Sequence, residues 1–367
     1  YAAKAYADEK FGGADTAPVV ALGGGRNMLE LWHGPTCAFK DMALQCLPRF
    51  FSASAAQLRE QGKLDHDFLI LVATSGDTGK AALEGFRDVD GVSIGVMYPD
   101  GGVSDIQFKQ MATQRGRNVQ VWGVRGNFDD CQTGAKNVFG DEAFAKKLQH
   151  EHRIALSSAN SINWGRLMPQ IVYYVSAYAQ LAADGKLNLG DELDVCVPTG
   201  NFGNILAAYY ARDMGVPIQK LICASNSNNV LTDFLRTGVY DRNRTFYNTM
   251  SPSMDILISS NLERLLYAIT GEDQQVREYM DELNRNGRYE VSERVKEKIQ
   301  RLFVGYCCDD TVTQKVISTI YRSFDYLIDP HTAVGFSALT QYREETGDMT
   351  PTVVASTASP FKFCDNV

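Results

Sequence analysis

The sequence predicts an α/β fold of two αβ lobes, each built on a mostly parallel, twisted sheet flanked by helices. Three observations lead there. Short apolar runs at 68–73, 92–98, 119–124 and 154–157 alternate with helically periodic segments, the pattern of βαβ units. Further apolar runs at 194–197, 221–225 and 352–356 follow a long amphipathic stretch from about 166 to 183. Residues 228–325 are charged, helically spaced and without clear strands, and read as a helical insert. The expected division gives 65–150 to a smaller lobe, and 1–64 with 151–367 to a larger one.

In chain order, residues 1–22 read as a short helix and a loop, and Gly23-Gly24-Gly25 turns the chain into a strand over 28–32. Helical spacing runs from Asp41 to about Gln61, and Gly62 closes it. The helix after the strand at 194–197 continues to Met214, where Gly215 and Pro217 stop it. A last helix is expected near 332–345, before the strand at 352–356.

Composition narrows the functional classes. With 367 residues, 44% hydrophobic and 22% charged, the chain reads as a globular enzyme large enough for two lobes. A net charge of −8 argues against a nucleic-acid surface, so any anionic ligand must be held by local devices such as helix N-termini. The eight cysteines (37, 46, 131, 196, 223, 307, 308 and 364) form no C-x-x-C and mostly sit in apolar runs. They suggest a reduced, cytosolic protein without a structural metal. No run of 18 apolar residues and no signal-peptide pattern occurs, so no membrane partner is expected. The chain begins at Tyr1 without methionine, as expected of a piece trimmed from a longer one.

The stretch with the most chemistry is Leu31-Trp32-His33-Gly34-Pro35-Thr36-Cys37-Ala38-Phe39-Lys40-Asp41. Mostly apolar or uncharged residues precede Lys40, and a lysine in such a setting can become a nucleophile that forms Schiff bases with carbonyls. A solvated surface lysine would give the same local sequence. The second element is Pro198-Thr199-Gly200-Asn201-Phe202-Gly203-Asn204, a glycine loop between strand and helix. Its backbone can approach a ligand closely, and the helix N-terminus favours a phosphate. A plain βα turn would use the same residue types. The G-x-x-G spacing is not a dinucleotide fingerprint.

Two more polar loops follow strands. Thr74-Ser75-Gly76-Asp77-Thr78-Gly79-Lys80 resembles a Walker A loop only superficially, since Thr74 and Ala81 stand where that motif needs Gly and Ser or Thr. It suits a carboxylate or phosphate, or serves as a cap in which Ser75 or Asp77 starts the helix. In Ser158-Ala159-Asn160-Ser161-Ile162-Asn163-Trp164-Gly165-Arg166, Asn160 and Arg166 offer donors to an anionic group, or cap the helix. His33 and His331 read as packing or hydrogen-bonding histidines, and Asp309-Asp310 as a solvated helix start. Three anion loops and one candidate Schiff-base lysine fit a phosphate-bearing aldehyde, for which pyridoxal 5'-phosphate is the obvious candidate.

With these residues in view, the chain from about Glu30 onward resembles the threonine synthase family, fold-type II pyridoxal-phosphate enzymes related to the tryptophan synthase β subunit. The motifs are H-G-P-T-x-A-F-K-D at 33–41, A-T-S-G-D-T-G at 73–79, S-A-N-S-I-N at 158–163, G-N-F-G-N at 200–204, P-H-T-A-V-G at 330–335 and S-T-A-S-P-F-K-F at 356–363. The resemblance implies that Lys40 holds the cofactor as an internal aldimine, that Gly200, Asn201, Phe202, Gly203 and Asn204 bind its phosphate, and that Thr357 faces the pyridine nitrogen. It implies Ser75, Thr78, Asn160 and Arg166 as ligands of the substrate's carboxylate and phosphate. Asp77 stands where the wider superfamily often has asparagine near the cofactor's 3'-oxygen. Ser359 stands where the family often has histidine, and family members carry an N-terminal segment before the position of Tyr1. The implied reaction converts O-phospho-L-homoserine and water to L-threonine and phosphate by γ-elimination and β-addition, in a monomer or homodimer. Its rivals are a phospho-lyase yielding 2-oxobutyrate, a non-catalytic homologue, and a nucleotide-binding α/β domain.

Overall fold

In a computed structural model of the chain, residues 1–13 and 15–367 are described. In chain order the strands are β1 (Val19–Gly23), β2 (Arg26–Glu30), β3 (Asp67–Ala73), β4 (Val92–Pro99), β5 (Val119–Val124) and β6 (Ile154–Ser157). They continue with β7 (Leu193–Pro198), β8 (Ile218–Ser225), β9 (Val239–Asp241), β10 (Arg288–Glu290), β11 (Phe303–Cys307) and β12 (Thr352–Ser356).

The chain divides into two compact units. The first comprises Tyr1–Thr16 and Trp32–Pro169 and holds an all-parallel sheet in the order β5-β4-β3-β6. A parallel sheet is covered on both faces, so its central strands are continuous apolar runs. Ile70 and Val72 of β3 and Ile94 and Val96 of β4 pack with Leu83 and Phe86 of the helix Asp77–Phe86. The second unit comprises Ala17–Leu31 and Gln170–Val367, with a six-stranded sheet in the order β1-β2-β12-β7-β8-β11. All its pairings are parallel except the β1–β2 hairpin. Met28, Cys196, Ile222 and Val354 pack there against Val334 and Leu339 of the helix Pro330–Thr346. That helix is buried along all of its first ten residues. This is why its sequence shows no polar stripe.

The strands expected at 68–73, 92–98, 119–124, 154–157, 194–197, 221–225 and 352–356 all form, within three residues at each end. Four strands escaped the sequence reading, two of them in the six-stranded sheet. β1 pairs antiparallel with β2 across Gly24-Gly25, whose φ of +58° and +69° give the tight hairpin turn that residues 1–22, read as helix and loop, did not suggest. β11 lies inside the stretch read as a helical insert, yet it is the parallel edge strand beside β8. Its central Gly305 weakens the strand signal. A Cβ there would lie 2.9 Å from Thr232 Cα, so the glycine is what lets the helix Val230–Thr237 lie against the strand. The small β9–β10 pair also interrupts that stretch. The helix expected over 41–61 is two helices, Lys40–Leu44 and Leu47–Glu60, with Pro48 at the start of the second.

The compact units place their boundaries elsewhere than the expected lobes. Residues 32–64 and 151–169 group with the four-stranded sheet because β6 is its edge strand beside β3, and because the helix Lys40–Leu44 packs on the helix Asp77–Phe86. That packing is close: a Cβ on Gly85 would lie 2.0 Å from the Leu44 carbonyl oxygen. Gly85→Ala is therefore expected to destabilise the protein by about 1–3 kcal/mol, the usual cost of overpacking. A urea denaturation midpoint equal to that of the wild type would refute this contact.

Candidate active site

Lys40 opens a short helix in which every residue from Lys40 to Leu44 is buried. The preceding H-G-P-T turn is folded back onto Asp41, whose carboxylate accepts from Thr36 N (2.8 Å) and Thr36 Oγ1 (2.7 Å). Gly34 belongs to that turn because a Cβ would meet the Asp41 carboxylate at 2.6 Å. The result is a rigid pedestal on which the Lys40 side chain, 8% exposed, reaches Asp77 Oδ2 at 3.3 Å and lies 4.6 Å from the Phe39 ring centroid. His33 stacks on Trp32 with ring centroids 4.4 Å apart, consistent with a packing role.

Asp77 is the first residue of the helix that follows β3. The helix is not capped by Ser75 or Asp77. Thr74 Oγ1 instead accepts from Gly76 N (2.9 Å) and Gly79 N (2.8 Å), and Gly79 leaves room for the Thr74 side chain. With the cap supplied by Thr74, the Asp77 carboxylate turns toward Lys40, while Ser75 on the loop and Thr78 in the first turn of the helix are half-buried. Gln107, not singled out in the sequence, donates from Nε2 to Asp77 Oδ1 at 3.0 Å. The capping box Ser104–Gln107 was visible as a local pattern, but its contact with a residue 30 positions earlier was not.

Next to β3, the end of β6 delivers the third loop. Asn163 Oδ1 accepts from Gly165 N (2.9 Å) and its Nδ2 donates to Ser158 O (3.1 Å), which fixes the start of the helix Trp164–Ala183. Arg166, 4% exposed, donates from Nη1 to Ala159 O at 3.1 Å, and so is tied to the loop that carries half-buried Asn160. Burial lowers the Arg166 guanidinium to about 10. Lys40, Asp77, Ser75, Thr78, Asn160 and Arg166 thus all belong to the first unit, and the loops at 74–79 and 158–163 leave adjacent parallel strands at their carboxyl ends.

Gly200–Asn204 and Thr357 belong to the second unit, at the carboxyl ends of the neighbouring strands β7 and β12. Thr357 is 5% exposed. Gly200 abuts the turn at Ser253, whose carbonyl oxygen a Cβ would meet at 2.8 Å. Phe202, at φ +62°, ends the loop at the position just before the helix Gly203–Asp213. The loop's carbonyls are turned away: Ser259 Oγ donates to Gly200 O (2.9 Å) and Asn261 Nδ2 to Asn201 O (2.8 Å). What remains on offer are the first N–H groups of the helix, an anion-binding arrangement. Tyr173 and Tyr174 approach Asn204 Oδ1 at 2.5 and 2.6 Å, leaving Asn204 Nδ2 as a buried donor without a partner among the described residues. Ser259 and Asn261 lie in the stretch read as a helical insert, and no local motif marks them.

His331 supports this loop from behind. Its Nε2 accepts from Ser253 N (3.1 Å), which puts the ring proton on Nδ1, 2.6 Å from Asp329 Oδ2. It is the hydrogen-bonding histidine expected. Asp309 caps the helix Asp310–Phe324 through Val312 N, as its position before that helix suggested. Among the described residues no helix is long and apolar enough to cross a membrane, and no cluster of side chains suits a metal.

No family model matches the chain. The chain is 42% identical over 352 residues to threonine synthase of Pseudomonas aeruginosa, a match covering 96% of this chain and 71% of that protein. It is 43% identical over 362 residues to human threonine synthase-like 1, covering 97% of this chain and 47% of that protein, so it spans about half the length of this relative. The crystal structure of pyridoxal-phosphate-bound threonine synthase from Brucella melitensis matches with a TM-score of 0.88 at 40% identity, over 99% of this chain and 74% of that chain. The fold is that of the fold-type II pyridoxal-phosphate enzymes. By identity and coverage together, the chain belongs to the threonine synthase family.

Proposed function

We propose that this chain carries the active site of a pyridoxal-5'-phosphate-dependent threonine synthase that converts O-phospho-L-homoserine and water to L-threonine and phosphate. The observation that carries the reading is the buried Lys40 amine, held on a rigid turn within hydrogen-bond reach of Asp77. The residues suit the cofactor. Asn204 Nδ2 is a buried donor in need of an acceptor, the loop's carbonyls are bonded away, and Gly200 and Gly203 leave the backbone bare for a phosphate. When bound, the cofactor supplies an aldehyde that takes up amines and a ring that withdraws electrons from the attached carbon.

The chain's own groups then have distinct tasks. Lys40 would hold the cofactor through its amine and, when free of it, would move protons at the substrate's Cα and Cβ. Asp77, at hydrogen-bond distance from Nζ, accepts from the lysine amine and aims it. Thr357 would offer a neutral hydroxyl to the ring nitrogen, which unlike a carboxylate would not hold that nitrogen protonated. Ser75, Thr78, Asn160 and Arg166 hold the substrate's carboxylate and phosphate, with the guanidinium as the strong, charge-assisted partner. The chain matches threonine synthase-like 1 as well as it matches threonine synthase, and the second reading is a phospho-lyase that releases phosphate with 2-oxobutyrate as the organic product.

Purified protein given O-phospho-L-homoserine and the cofactor is expected to release threonine and phosphate in equal amounts, with turnover falling about 10²–10⁴-fold in Lys40→Ala. Phosphate accompanied by 2-oxobutyrate would establish the second reading, and no phosphate release would refute both. Asn204→Asp keeps the oxygen that faces Tyr173 and Tyr174 but replaces the orphaned donor with a carboxylate oxygen. Cofactor titration should show a Kd raised roughly tenfold or more, from about 1–3 kcal/mol of lost binding. An unchanged Kd would remove Asn204 from the phosphate site.

A further inference from the structure

We infer that Gln107 is a positioning residue for Lys40, acting through Asp77, whose carboxylate it holds ionised and aimed at the lysine amine. The inference rests on the reading of Lys40 as the cofactor lysine. Gln107 is 1% exposed and stands at the third position of the helix Asp105–Ala112. Its carboxamide is used at both ends. Oε1 accepts from Ser104 N (3.1 Å), closing the capping box, while Nε2 donates to Asp77 Oδ1 (3.0 Å). Asp77 in turn places Oδ2 3.3 Å from Lys40 Nζ.

The carboxamide cannot serve Asp77 in the opposite orientation. A flip would set its oxygen against the carboxylate and its NH₂ against the Ser104 N–H, two repulsive contacts in place of two hydrogen bonds. Nor is there room to move: a Cβ on Gly76 would lie 2.4–2.5 Å from the carboxamide atoms, and Gly76 itself adopts φ +132°. The glycine of A-T-S-G-D-T-G is thereby explained by a side chain 31 residues later. A donor fixed on a buried carboxylate stabilises its ionised form, and the ionised form keeps the neighbouring ammonium charged. Removing the Gln107 donor should leave Lys40 neutral more of the time, and its amine more reactive.

The test uses the cofactor-free protein and a small amine reagent, acetic anhydride, with the rate of acetylation at Lys40 followed by mass spectrometry of its peptide at fixed neutral pH. Gln107→Met, of similar length but without a donor, is expected to acetylate at Lys40 about threefold faster or more than the wild type. Gln107→Leu serves in its place should the methionine variant fail to fold. In an Asp77→Asn background the same substitution should add nothing, since the effect runs through the carboxylate. Ser104→Ala, which removes the hydroxyl that caps Gln107 N, should lower the melting temperature and leave the Lys40 rate unchanged. A Gln107→Met rate equal to that of the wild type, or an acceleration that persists in Asp77→Asn, would overturn the inference. Failure of the cofactor reading has a separate signature: the wild type would take up no pyridoxal 5'-phosphate at Lys40, whatever the acetylation rates.

Discussion

Taking an ammonium out of water costs several kcal/mol unless an opposite charge and hydrogen bonds replace its hydration. Lys40 is in that position, and much of the first unit's local architecture follows from meeting it. Asp77 supplies the opposite charge at 3.3 Å. It stands at the first position of a helix, where the macrodipole also favours negative charge. For Asp77 to face the lysine, the helix must be capped by something else, and Thr74 takes that task. For Lys40 to be held still, its turn must be closed, and Asp41 closes it on Thr36. The glycines of the two motifs are the positions where these contacts leave no room for a Cβ: Gly34 against Asp41, Gly76 against Gln107 and Gly79 against Thr74.

The second unit answers a different constraint. A protein of net charge −8 has no overall field with which to collect a phosphate. It needs donors gathered locally, and in the proposed reading the loop at 200–204 gathers them by subtraction. Ser259 and Asn261 bind the carbonyls, two tyrosines hold the oxygen of Asn204, and the remaining groups are N–H donors at a helix start. The turn at Ser253 that backs Gly200 is itself held by His331, whose ring is oriented by Asp329. The P-H-T segment thus contributes through position.

What could be read from the sequence follows from the range of the interactions involved. Apolar runs bounded by turns marked the core strands, because a parallel sheet buried on both faces demands them. β11 was missed because Gly305, required by the approach of a helix, dilutes a five-residue strand set between charged helices. β1 was missed because Val19-Val20-Ala21-Leu22, an apolar run of only four residues, does not by itself separate strand from helix or loop, although the glycines of its turn were plain. At the candidate site, Lys40 and the three loops stood out because each pairs a strand end with glycines or small polar residues. Gln107, Ser259 and Asn261 were not. Each acts on a residue 30 to 60 positions away through a single side-chain bond, and no local pattern encodes such a bond.

The account stands on Lys40 as the residue that takes the cofactor. The most direct measurement is to mix the protein with pyridoxal 5'-phosphate, reduce with borohydride, and map the modified lysine by peptide mass spectrometry. The account predicts one pyridoxyl group per chain, on Lys40, even at equimolar cofactor. Modification spread over exposed lysines, or concentrated on a buried alternative such as Lys362, would contradict it.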